Sequence, residues 1–81
     1  MPTQPQQPQP QNHPSRVRRI AALYVTIYDI LLEVKQIPEG HIYAHCMGQC
    51  TLEEFQIAIA LLIKQGKATS RNHLLTLVEP G

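Results

Sequence analysis

The sequence predicts a mainly α domain of three helices with a small β-hairpin, behind a disordered Pro/Gln-rich N-terminal tail. Three observations predict it. Apolar residues recur at helical spacing from Val17 to Val34. A capping signal at Thr51 opens a second apolar stripe that stops at Gly66. Two short strands then follow between Ala68 and Val78, the second with Leu75 and Leu77 alternating with Thr76 and Val78. The change of period from 3.6 to 2 marks where helix gives way to strand.

Residues 1–14, MPTQPQQPQPQNHP, hold five prolines and five glutamines. Proline lacks an amide hydrogen and favours extended backbone, and glutamine offers nothing to a core, so this stretch reads as a disordered tail. PTQP and PQQP match the PxxP ligand pattern, which any Pro/Gln tract produces. Residues 15–81 remain to form one domain. A domain that small buries only about 60% of its unfolded surface, so self-association would help it, and a homodimer is expected.

Ser15 suits an N-cap, its hydroxyl accepting an orphan amide hydrogen. From there Val17, Ile20, Tyr24, Ile27, Leu31 and Val34 fall on one helical face, widened by Leu23, Val25 and Ile30. A helix this broadly apolar is either central to the core or shared with a second copy. Pro38 disfavours helix at Ile37, so the helix should end near Gln36. Ile42, Tyr43, Ala44 and Met47 supply a short second helix closed by Gly48. Gln49 and Cys50 form a turn. Thr51 and Glu54 then fit the capping box of a third helix, whose core stripe is Leu52, Phe55, Ile59 and Leu62. Gly66 supplies a left-handed stop. Ala68 and Ser70 belong to a first strand, Asn72 to the tip, and Leu75 and Leu77 to a second strand.

This order resembles the winged helix-turn-helix family over roughly residues 16–78. The residues that carry the resemblance are Tyr43, Ala44, Met47 and Gly48 for the second helix and its turn. Phe55, Ile59, Leu62 and Gly66 look like the core positions and stop of the third helix, and Lys67 to Val78 would be the wing. The resemblance implies a DNA-binding domain whose third helix enters the major groove. The exposed face of that helix would be Glu53, Glu54, Gln56, Ile57, Ala60, Leu61 and Lys64. Of these only Gln56 and Lys64 are typical readers of bases or phosphates.

The charges are few but unevenly placed. Seven Lys and Arg face six Asp and Glu, for a net charge of +1, so the chain is not a bulk polyanion binder. Arg16, Arg18 and Arg19 cluster at one end of the domain, and Lys64, Lys67, Arg71 and His73 at the other. The duplex-contact candidates are therefore Arg16, Arg18, Arg19, Gln56, Lys64, Lys67, Arg71 and His73. The expected function is double-stranded DNA binding in transcriptional regulation. The rival expectation is a winged-helix interaction or dimerisation module that binds protein through Glu53, Ile57 and Leu61, since exposed apolar patches mark interfaces.

His41, His45, Cys46 and Cys50 lie within ten residues, and zinc accepts such ligands. Cys46, however, follows His45 directly and would point about 100° away around the helix. Packing explains Cys46 more simply, and no metal or other cofactor is expected. Cys50, near a helix start, is a candidate for a lowered pKa and redox sensing. There is no Gly-rich phosphate loop and no catalytic set, so an enzyme is not expected. No apolar run opens the chain and none is long enough to span a bilayer, so the expected location is the cytoplasm, with free thiols and no membrane contact.

Overall fold

The computed structural model describes residues 13–79. The expected tail therefore lies outside the described residues, apart from His13 and Pro14. In chain order the elements are α1 (His13–Val34), β1 (Gln36–Pro38), α2 (Glu39–Cys46), α3 (Leu52–Lys64), β2 (Ala68–Arg71) and β3 (Leu74–Leu77).

α1 begins two residues before the expected cap, so Ser15 is helical rather than capping. Pro14 falls in the first turn, where the early amides have no helical acceptor and a missing one costs nothing. The buried face of α1 is narrower than its apolar stripe. Leu23, Ile27 and Leu31 are buried, while Val17 is 65% and Val25 56% exposed. The helix ends as Lys35 turns to φ 71, its amide donating to the Leu31 carbonyl at 2.8 Å.

β1 was not expected. It is three residues long and ends in a proline, a residue tolerated at the edge of a sheet. The hairpin is therefore part of a three-stranded antiparallel sheet of order β1-β3-β2. Ile37 lies opposite Leu75, and Arg71 opposite Leu74. The central strand β3 turns Leu75 and Leu77 into the core. Asn72 and His73 both have positive φ, 54 and 62°, the pattern of a two-residue type I′ turn whose twist matches the strands it joins.

The third helix forms as its sequence implies. The Thr51 hydroxyl accepts from the Glu54 amide, and the Glu54 carboxylate accepts from the Thr51 amide, both at 3.0 Å. Phe55, Ala58, Ile59 and Leu62 are buried, whereas Leu52, expected in the core stripe, sits in the first turn and is 50% exposed. At its far end Gly66 takes φ 74, Gly66 N–H donates to the Ile63 carbonyl and Lys67 N–H to the Leu62 carbonyl. That pair of bonds is a Schellman stop. α2 contributes Ile42 and Cys46 to the same core, and its Tyr43 ring tilts against Phe55 at 5.1 Å. No helix among the described residues is long and apolar enough to cross a membrane.

Candidate functional site

The joint between α1 and α3 is electrostatic at one end and apolar along the rest. Glu54, expected on the open face of the third helix, is instead only 2% exposed. Its carboxylate, besides closing the capping box, takes three hydrogen bonds from the Arg19 guanidinium at 2.7 to 3.2 Å. A planar guanidinium matches a carboxylate in this two-pronged way, which fixes orientation as well as charge. The Arg19 bonds, joined by the Thr51 amide, hold the Glu54 carboxyl below the usual carboxylate range against the opposing effect of burial. The same hydrogen bonding raises the Arg19 pKa. Arg16 reaches Glu53 at 3.2 Å and the edge of Glu54 at 3.9 Å. Two of the three first-helix arginines thus serve the α1–α3 joint, and only Arg18 stands clear of it.

At the opposite side, the hairpin tip lies against the start of α2. The Glu39 amide donates to the His73 carbonyl at 2.8 Å, and the His73 ring stands 3.8 Å from the Glu39 carboxylate. The Ser70 hydroxyl donates to Glu39 as well. A hollow of about 320 Å³ joins this tip to α3, with Leu52, Gln56 and His73 on its wall. The structure therefore brings Gln56 and His73 together. It does not bring Lys64 or Lys67 to them: Lys64 is in the last turn of α3, and the Lys67 ammonium lies 5.2 Å over the Tyr28 ring. Arg71, at the end of β2, shares the open polar face of the sheet with Gln36, Thr69 and Thr76.

His73 breaks a local rule. Glycine is the residue most suited to the second position of this turn, and a side chain at positive φ costs about 1 kcal/mol. The chain nevertheless holds an imidazole there, with its side chain 92% exposed.

Ile57 and Leu61 form one wall of a groove of about 520 Å³ whose other wall is Val17, Ala21, Tyr24 and Val25 of α1. The Tyr24 hydroxyl hydrogen-bonds the Gln65 side chain at its end. Glu53, the third residue expected at a protein interface, is not in the wall and is tied to Arg16 instead. The α1 wall was not read as part of this site. Its signal was the excess breadth of the apolar stripe, which the core uses only in part.

No group of three or more His, Cys, Asp or Glu among the described residues is placed to hold a metal ion. His41 and His45 are exposed, whereas Cys46 is buried in the core. The Cys50 thiol, expected to be acidic, is pushed the other way, by burial first and then by the Glu54 carboxylate, with Arg19 opposing. Cys46 is likewise raised by burial. Neither thiol has the electropositive setting that makes a cysteine reactive.

Comparison with protein-family models, curated proteins and solved structures found no significant match.

The site is therefore read from its own charges. Among the described residues, ion pairs occupy Arg16, Arg19, Lys35, Glu53, Glu54, Glu79, and His73 with Glu39. The cations left without a carboxylate in range are Arg18, Lys64, Lys67 and Arg71. Three of these lie on the last turn of α3 or on the hairpin. The anions left over, Asp29 and Glu33, are both on α1.

Proposed function

We propose that this chain is a small cytoplasmic winged-helix module that binds double-stranded DNA in transcriptional regulation, gripping phosphates from its hairpin side. The reading is carried by the unspent positive charge of Lys64, Lys67 and Arg71, which no nearby carboxylate neutralises among the described residues. The topology supports it. A helix, a strand, two helices and a hairpin, with the last strand central, agree with the winged helix-turn-helix resemblance. They also set His73 beside Gln56 on the open side of α3. Fold alone names no ligand, so the charges are what the proposal stands on.

Arg16 and Arg19 leave the phosphate-contact set, because their guanidiniums orient α3 through Glu53 and Glu54. Gln56 remains the groove contact, with His73 next to it. Glu53 on the same helix would repel phosphates, so backbone contact outweighs base reading, and affinity falls steeply with salt. Fluorescence anisotropy with a random duplex tests this. Lys67→Glu combined with Arg71→Glu should abolish binding, and a double variant that binds like the parent removes the proposal.

A second reading is favoured by the groove between α1 and α3. Its lining is almost wholly apolar, and a contiguous apolar surface on a small domain marks a protein interface. Gln56 lies about 100° around α3 from Ile57, whereas Lys64, seven residues on from Ile57, falls on the face of the groove.

A further inference from the structure

The groove has a second feature that its apolar lining does not explain. On α1, Val17, Ala21, Val25 and Leu32 form a stripe turned away from the core, all of them exposed. Their spacings of four, four and seven residues follow the helical repeat, so they share one face. Arg18 and Asp29 lie together along one flank of this stripe, about three helical turns apart. Neither has an ion-pair partner among the described residues.

We infer that the groove is filled by α1 of a second copy of this chain, packed antiparallel about a two-fold axis level with Leu23 and Tyr24. This rests on the second reading above, that the groove is an interface, and not on duplex binding. A two-fold axis midway between Arg18 and Asp29 places each copy's Arg18 beside the partner subunit's Asp29, so the pair forms twice on the same flank. An isologous contact requires this kind of self-complementarity. On this face Ala21 and Val25 flank the axis, and the small Ala21 lets the helix axes approach. Val17, Val25 and Leu32 then interleave with their counterparts, while Ile57 and Leu61 seal the side. The charge arrangement selects the occupant: two oppositely charged residues placed symmetrically about the middle of one helix complement a reversed copy of that helix. It also gives the leftover α1 charges a use distinct from that of the hairpin cations.

Sedimentation velocity on the full chain over a wide concentration range tests the inference. The parent should be a dimer. Arg18→Asp and Asp29→Arg, taken singly, each turn two attractions into repulsions and should raise the dimer dissociation constant about tenfold. Combining them restores the attraction and should restore the dimer. Val25→Glu should give a monomer whose circular dichroism remains helical. A parent that is monomeric throughout, or a dimer indifferent to the charge swap, overturns the two-fold arrangement. A dimer indifferent to the swap yet lost in Leu61→Glu would keep the groove as an interface and reject this packing. Indifference to Leu61→Glu as well would remove both.

Discussion

Arg19 and Glu54 stand 35 residues apart in the sequence and are joined by three hydrogen bonds that lock α1 onto the start of α3. The pair turns an apparent phosphate contact and an apparent surface acid into one structural joint. The same residue that caps α3 through Thr51 is the one α1 holds, so helix start and helix docking are fixed together.

Glu54→Gln keeps the shape but loses the charge-assisted bonds. It should cost about 1–3 kcal/mol in chemical denaturation. Its pH signature follows from the depressed carboxyl. A group whose folded pKa lies below its unfolded one stabilises the fold above the unfolded value, about 4.3, and that stabilisation is lost as pH falls through the folded value. The parent should therefore lose stability on acidification below about pH 4.3, and Glu54→Gln should show a flatter profile. Equal slopes in both proteins would speak against the joint.

Lys35 ends α1 in a left-handed conformation without being glycine. Lys35→Gly removes that strain and gives up only an exposed ion pair with Glu79 at 3.5 Å. The net result should be a gain of about 0.5 kcal/mol, read as a higher midpoint in a urea titration. A lower midpoint would mean that the Glu79 contact outweighs the backbone.

His73→Gly separates stability from function at the hairpin tip. Relief of positive φ should stabilise the fold by about 1 kcal/mol. Duplex affinity should fall, because the side chain beside Gln56 is gone. A variant that is both more stable and equally tight would show the imidazole to be idle.

How far the sequence spoke for itself depended on how local each signal was. The Thr51 box, the Gly66 stop and the Asn72 turn are each set within a few residues, and all three appear where the residue types imply. β1 was invisible because three residues ending in proline carry no period; it exists only through its pairing with Leu74, Leu75 and Thr76, far along the chain. The fate of Glu54 was hidden for a similar reason. Its own helix position allows exposure, and only the arrival of Arg19 buries it. The groove was half legible: Ile57 and Leu61 stood out as apolar residues on an outward face, but Val17 and Val25 belonged to a broad stripe that served either the core or a second copy. The hairpin cations were legible as a cluster, though their lack of partners is a property of the folded chain.

The central claim is that unpaired positive charge on the hairpin side meets phosphate. Its most direct test is the salt dependence of duplex affinity, measured by anisotropy between low and moderate salt. With Lys64, Lys67 and Arg71 as the contacts, log K should fall against log salt with a slope of about −3, and the slope should shrink by about one unit for each of the three changed to glutamine. Absence of binding at micromolar protein in low salt, or a slope unmoved by all three changes, would contradict the account.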